Sequence, residues 1–420
     1  MAFHEWFYSL PLLNVDWGCG ELGAALEAVL TLKSRSTKPV QRLEYEVRRL
    51  TGAVEAIGFE RGRSALKWIL EYAATRPEAN GRSQVIIPAL LCHAVPEAIR
   101  SARLEVVLCD ITENLHMDPK SAEAVFDLDK TLAVIVPHIY GIPTPLQSFM
   151  ALAAQSQAIV IDDAAASLGA RLNQIPLGLH GHAGLYSFSQ GKAATAGGGG
   201  MIVLPEGSPL AGSLHNRPAI FPASQAQARR RFRRFLWNDV MHRFSDPLET
   251  LMDIAAAHLR IPKRRGDAQP IENQRMAGLQ AHVALAQLRR LDSLLGRRLD
   301  NIRLLRDELQ QIPGLRLIDF PDEAVPTRFI VETLEHAVER ESAGIRVENP
   351  LVTHLRGMGI EARYAYLPLH KYSGEHSAGL PDPGMADRLG RHLVLLPFLP
   401  PLGRGDMARI GKAVRSFFGR

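Results

Sequence analysis

Short apolar runs recur along the first half of the chain, and all but one stop at a proline or a carboxylate. They cover residues 56–59, 84–87, 105–109, 132–137, 158–161, 185–188 and 201–204. Runs this short, apolar almost throughout and bounded by breakers, predict strands buried on both faces. Helical patterns lie between them. Residues 41–50 set Leu43, Val47 and Leu50 on one face among charges. Residues 64–72 follow an Arg61-Gly62-Arg63 turn, with Ser64 in an N-cap position. Apolar residues at helical period also mark 22–32 and, over a longer span, 280–309. Strands alternating with helices across 56–204 predict βα units and a mainly parallel sheet, an α/β fold. Past residue 268 short strands such as 328–331 alternate with helices again.

The polar residues at the ends of these runs change the picture. The run at 158–161 ends in Asp162 and Asp163. The run at 185–188 carries Ser187 and leads to Lys192, and a glycine tract, Gly197 to Gly200, follows. Open α/β sheets bind ligands beyond their strand ends. An acid, a hydroxyl and a lysine so placed suit pyridoxal phosphate. Its aldehyde needs a lysine amine for a Schiff base, and its ring nitrogen needs a carboxylate to keep it protonated. Its phosphate needs hydroxyl and N–H donors. A nucleotide-binding P-loop fits worse, because Tyr186 and Ala193 stand where it needs Gly and Ser or Thr. Taken singly, each residue also reads as a strand end, a surface lysine or a turn.

Composition narrows the class. The chain has 420 residues, 46% of them hydrophobic and 22% charged, with a net charge of +5. That is ordinary globular composition, enough for two domains. The basic excess suits an anionic substrate without demanding one. Three scattered cysteines, Cys19, Cys92 and Cys109, predict no disulfide framework and a reducing, cytoplasmic setting. No secretory leader and no span of roughly 20 apolar residues is evident, so no membrane insertion is expected. An Arg-rich stretch, 229–234, interleaves Phe232 and Phe235 with arginines. It reads either as a nucleic-acid or membrane surface or as a helix burying its aromatic face, and the second reading excludes nucleic acid as a partner. No metal-ligand cluster is expected.

The stretch from Asp162 to Gly200 resembles the DegT/DnrJ/EryC1/StrS family of pyridoxal-phosphate enzymes, mostly sugar aminotransferases. That family reads roughly E-D-x-A-Q-x-x-G-A, S-F-x-x-x-K and G-E-G-G. Here the frame is Asp162-Asp163-Ala164-Ala165-Ala166-Ser167-Leu168-Gly169-Ala170, Ser187-Phe188-Ser189-Gln190-Gly191-Lys192 and Gly197-Gly198-Gly199-Gly200. The resemblance implies the aspartate aminotransferase fold type I, with a smaller α+β C-terminal domain. It implies an N-terminal arm over 1–40, a large cofactor-binding domain over 41–255 and a small domain over 256–420. By carry-over Asp163 meets the ring nitrogen, Ser187 the phosphate and Lys192 the aldehyde carbon, so Asp163 and Lys192 are the catalytic pair.

Other cofactor contacts carry over less evenly. Ala166 replaces the family's ring-bonding Gln, so another group or a water must serve the phenolic oxygen. Gly62, Arg63 and Ser64 lie where the family's S-G-T-x-A-L holds the phosphate. Arg63 there either grips it or points to solvent. Cys92 occupies the place of a stacking aromatic ring, and the adjacent His93 either stacks on the cofactor or starts a helix. Asn273, in ENQRM, matches an Asn that reaches the partner's phosphate, which implies a homodimer with shared sites. His138 fits a family P-V-H-x-x-G segment and reads as a structural histidine.

The implied reaction moves an amino group from an amino acid, glutamate foremost, to a keto sugar, nucleotide-linked in much of the family. Two rivals stand beside it. One is another pyridoxal-phosphate reaction such as dehydration or aldol cleavage, although the family's dehydratases replace the lysine by histidine. The other is a non-catalytic binding or regulatory role.

Overall fold

A computed structural model describes residues 9–12, 16–30, 36–212, 217–241, 271–335, 339–340, 347–372, 380 and 384–419. The expected domain boundary at 255–256, and residues 31 and 32 of the first helical pattern, lie outside these.

The seven apolar runs form seven strands of one sheet. They are β1 (Glu55–Phe59), β2 (Gln84–Pro88), β3 (Glu105–Cys109), β4 (Thr131–Pro137) and β5 (Ile159–Asp163). After a small hairpin, β6 (Arg171–Leu172) and β7 (Ile175–Pro176), come β8 (Ala183–Ser187) and β9 (Gly200–Leu204). The order across the sheet is β1-β9-β8-β5-β4-β2-β3. The β5–β8, β4–β5, β2–β4 and β2–β3 pairs are parallel, and β9 runs against both β8 and β1.

Both faces of the sheet are covered. Val85 and Ile87 of β2 join one apolar cluster and Ile86 joins another. On β5, Ile159 and Ile161 belong to the first and Val160 to the second. Period-two alternation thus sends every other side chain to a different core, which is why the runs read as continuously apolar.

Among the described residues up to 241 there are seven α-helices. They are α1 (Cys19–Leu30), α2 (Lys38–Thr51), α3 (Gly62–Ala74), α4 (Ala94–Ser101), α5 (Pro119–Ala124), α6 (Gln147–Ala154) and α7 (Gln225–Met241). α3 packs on α4 and α5 on α6, one pair feeding each core. α2 shows why such segments are helical and where they stop. Pro39 sits in its first turn, and Gly52 ends it in the left-handed region, its N–H bonding the Arg48 carbonyl. Its buried face is Val40, Leu43 and Val47, each contributing about 2 kcal/mol by burial.

Two expectations fail in detail. Ser64 does not cap α3: Arg61 is the N-cap, with extended backbone, and Ser64 is already inside the first turn. The long helix expected over 280–309 is two helices, α8 (Gly278–Leu288) and α9 (Leu291–Leu309), broken at Arg290. Neither Gly nor Pro causes the break. The two halves have different partners, α1 and α2 for α8 and the C-terminal helix for α9, and packing overrides the continuous period.

The C-terminal part builds a smaller antiparallel sheet. Its strands are β10 (Leu315–Leu317), β11 (Phe329–Thr333), β14 (Arg363–Tyr364) and β15 (Leu393–Leu396), in the order β10-β11-β15-β14. A separate two-stranded ribbon comprises β12 (Glu339–Arg340) and β13 (Val347–Glu348). Helices α10 (Pro350–Gly357), α11 (Leu369–Tyr372), α12 (Met385–His392) and α13 (Arg404–Phe418) complete it. The fold is the expected α/β one, a mainly parallel sheet with a smaller α+β part.

Candidate active site

The carboxyl ends of β4, β5 and β8 open onto a cavity of about 500 Å³. Residue pairing places Asp163 opposite Pro137 on one side and Leu185 on the other. The loop after β8 then returns Lys192 to the same cavity. The glycine tract makes that return possible. A side chain on Gly200 would stand 2.5 Å from the Gly62 Cα, so only glycine lets β9 lie against the start of α3. The first turn of α3 follows directly, and its N–H groups through Ser64 have no partner within the helix. A helix start of this kind favours an anion.

The two adjacent carboxylates have separate surroundings. Asp162 is fully buried and accepts from the Gly178 and His180 N–H groups at 2.7 and 2.9 Å. His138 Nε2 lies 2.7 Å from its other oxygen. The Thr144 N–H donates to His138 Nδ1 at 2.9 Å, so Nε2 carries the proton and donates to Asp162. His138 is thus a satisfied structural histidine. Asp163 faces the cavity and accepts from the Ala165 N–H at 3.1 Å. Burial pushes its carboxyl above the usual range, against the pull of that N–H and of Lys192.

Burial pushes the Lys192 amine below the ordinary lysine range; Cys92 and Asp163 oppose this, and Arg328 and Arg298 add to it. Its backbone is tied down as well. Arg298 donates to the Lys192 carbonyl at 2.6 Å, and the Thr195 hydroxyl reaches it at 3.5 Å.

Gly62, Arg63, Cys92, Asp163, Ala166, Ser187 and Lys192 all line the cavity. The Ser187 and Ser189 hydroxyls lie 2.8 Å apart beside the start of α3. Arg63 donates to Glu97 at 2.8 Å in a half-buried pair at the surface. Such a pair is worth no more than about 1 kcal/mol, so Arg63 can turn to an anion at little loss.

Three expected contacts lie outside this lining. Ser64 borders a neighbouring chamber of about 230 Å³, and its buried hydroxyl has no partner. His93 is exposed at the N-cap of α4, where its carbonyl accepts from Glu97, so Cys92 alone occupies the place of the stacking ring. Asn273 is 5% exposed and donates to Glu71 at 2.6 Å, which turns its amide into its own chain.

Several further residues line the cavity. Tyr140 and Tyr366 stack at 4.8 Å, and the Tyr366 N–H donates to the Tyr140 hydroxyl at 2.8 Å. Tyr140 holds a left-handed φ of 56°, a strained value for a bulky residue and typical of binding sites. Gln190 lines the cavity with a buried, unpartnered Nε2. From α7, Arg231 pairs with Glu60 and Phe235 closes the mouth. Phe232 and Phe235 are buried against Trp17, with centroids 5.6 and 5.1 Å away. The aromatic face of the Arg-rich stretch is therefore spent on packing.

These features fit pyridoxal phosphate. Asp163 and Lys192 share one cavity, and the start of α3, Ser187, Ser189 and the orphaned Gln190 amide there are donors of the kind a phosphate needs. No histidine replaces Lys192.

Known proteins agree. The chain is 25% identical to the spore coat polysaccharide biosynthesis protein SpsC of Bacillus subtilis, over 97% of this chain and 96% of that one. It is 32% identical to a UDP-N-acetyl-3-dehydro-alpha-D-glucosamine 3-aminotransferase of Acidithiobacillus ferrooxidans, over 38% of this chain and 43% of that protein. That match thus spans less than half of the relative's length. Among solved structures, the Escherichia coli GDP-4-keto-6-deoxy-D-mannose-3-dehydratase with bound hydrated PLP superposes with a TM-score of 0.71 at 16% identity, covering 97% of this chain and 100% of that one. Residues 21–415 match the DegT/DnrJ/EryC1/StrS aminotransferase family. The chain belongs to that family, and its cofactor is pyridoxal phosphate.

Proposed function

We propose that this protein moves an amino group from an amino acid, glutamate foremost, to a keto sugar carried on a nucleotide. The observation that carries the reading is the placement of Asp163, at the end of β5, and Lys192, on the loop after β8, in one cavity about 500 Å³ in volume. When bound, the cofactor supplies a carbonyl that captures the donor amine and a ring that accepts the electron pair left on the donor Cα. Asp163 holds the ring nitrogen through a charged hydrogen bond and so keeps it protonated. Lys192 Nζ anchors the cofactor, then takes the proton from the donor Cα as a general base. An amine below the ordinary lysine range is suited to that work at neutral pH. Ser187, Gln190 and the start of α3 hold the phosphate, and Arg63 joins them by leaving Glu97. The Tyr140–Tyr366 stack and Phe235 exclude water.

The nucleotide-linked acceptor draws support from the UDP-sugar relative. Arg61 and Arg231, which line the cavity and share the Glu60 carboxylate, carry positive charge that suits its phosphates. A homodimer in a reducing cytoplasm belongs to the same proposal. The test is a half-reaction: protein loaded with pyridoxal phosphate is mixed with glutamate. Loss of the visible-edge absorption with one 2-oxoglutarate released per site is expected, and a nucleotide keto sugar then restores the band. Bound cofactor with no oxo acid from any amino acid would move the protein to the binding or regulatory reading.

A further inference from the structure

The strand order says where the phenolic oxygen of the cofactor must lie. Part of the sheet runs β9-β8-β5-β4. The phosphate donors are on one side of β5: Ser187 ends β8, and the start of α3 lies against Gly200 of β9. The end of β4 is on the other side, where Pro137 pairs with Asp163 and the His138 N–H donates to the Asp163 carbonyl at 3.2 Å. Pyridoxal phosphate carries its phenolic oxygen across the ring from the phosphate arm. A ring anchored at Asp163 with its arm toward β8 therefore turns that oxygen toward the end of β4.

The groups at that wall are nearly all committed. Ala166 lines it with a methyl, and the Ala165 N–H is taken by Asp163. His138 donates to Asp162 and accepts from Thr144, whose hydroxyl donates to the Pro137 carbonyl at 3.1 Å. The Tyr366 hydroxyl is hydrogen-bonded to Cys92. Tyr140 remains. It is 5% exposed and lines the cavity. Among the described residues the hydrogen bond at its hydroxyl comes from the Tyr366 N–H, at 2.8 Å. That bond occupies a lone pair and leaves the hydroxyl proton to give. Burial pushes the phenol far above its ordinary range, so the proton stays on.

Tyr140 is also held in place at a cost. Its left-handed φ of 56° is strained for a bulky residue. Its carbonyl accepts from the Thr327 N–H at 2.8 Å, its ring stacks on Tyr366, and Gly141 lies so close to Val325 that a side chain there would stand 2.2 Å from the Val325 oxygen. Strain enforced from several sides is how a site keeps one group pre-organised.

We propose that Tyr140 is a cofactor-binding residue, whose hydroxyl donates to the phenolic oxygen of pyridoxal phosphate. The inference rests on the Asp163 and Lys192 reading of the cavity and on no particular donor or acceptor. Such a hydrogen bond stabilises negative charge on the oxygen and weakens its hold on the proton at the Lys192 linkage. The linkage then loses its proton at lower pH than it otherwise would. Tyr366, Arg328 and Cys92 act on the Tyr140 phenol, and Cys92, Asp163, Arg328 and Arg298 on the Lys192 amine. All of these stay unchanged in the test.

Full-length protein saturated with pyridoxal phosphate, without substrate, is titrated with pH and the visible band of the cofactor is followed. Tyr140→Phe should raise the midpoint of the spectral change by about one unit. Ala166→Gln added to that variant should bring the midpoint back toward wild type, because an amide restores a donor; this rescue would not follow if Tyr140 merely held Tyr366. An unmoved midpoint in Tyr140→Phe would overturn the proposal. If that variant does not fold, Ala166→Gln alone decides. An unchanged midpoint is expected where a donor is already present, and a fall of about one unit would show that the oxygen had none, against the proposal. Amino transfer is measured separately. A raised midpoint without transfer sinks the function and spares this inference; transfer with an unmoved midpoint does the reverse.

Discussion

Asp162 and Asp163 are neighbours in sequence with the same chemistry, yet they serve opposite faces of β5. Asp162 points into the face built with α5 and α6, where two N–H groups and His138 meet its oxygens. Asp163 points into the face shared with α3, where one N–H meets it and the cavity lies beyond. The first carboxylate is consumed by the fold. The second is left with capacity for a ligand. A strand does this without extra machinery, since its side chains alternate. Backbone tethering by a saturated neighbour is what lets an under-satisfied acid be held still.

The contrast is open to attack, most strongly at its partner group. Lys192→Ala should lower amino transfer by on the order of 10³ or more, since both the anchor and the base are lost. Chromatography and thermal melting should show a folded protein.

Next come the two acids themselves. Asp163→Asn should lower transfer roughly 10²–10³-fold with little change in stability. Asp162→Asn should do the opposite. It leaves buried donors facing an amide, so urea unfolding should show a loss of about 2–4 kcal/mol, with transfer per folded molecule within a few-fold of wild type. Reversed outcomes for the pair would erase the distinction between the faces.

A pH comparison is subtler. The folded-state pKa of Lys192 is lowered, so between that value and about 10.4 the unfolded chain binds the extra proton. Stability of the cofactor-free protein should therefore rise with pH across that interval. Lys192→Met should be the more stable protein at neutral pH, and the difference should close as pH approaches that upper limit. Parallel stability curves for the two proteins would contradict the lowered value.

The smallest effect concerns the open ring face. Cys92→Phe restores an aromatic side chain beside the cofactor and should slow cofactor release by about two- to tenfold, the range of one stacked pair. Stopped dilution followed by fluorescence reads it.

The strands were legible because each is a short run of apolar residues and most are punctuated by Pro or a carboxylate, a signal local to four to seven residues. Asp163, Ser187 and Lys192 were legible because they sit at fixed offsets from such runs. The rest of the cavity was not. Tyr366 comes from a segment more than a hundred residues away in sequence, and only packing brings it to the cavity. Tyr140 had one signal, its place before Gly141 at a strand end, but strain is visible only in φ. His93 and Cys92 were separable only by where the loop after β2 turns, and the α8–α9 break only by which elements each half packs against.

The central claim is that one lysine faces one acid across a bound ring. Protein saturated with pyridoxal phosphate, reduced with borohydride and digested, tests it directly by locating the reduced adduct. The account predicts a single modified peptide with the label on Lys192, absent from Lys192→Ala. A label on any other lysine, or an undiminished label in that variant, would contradict it.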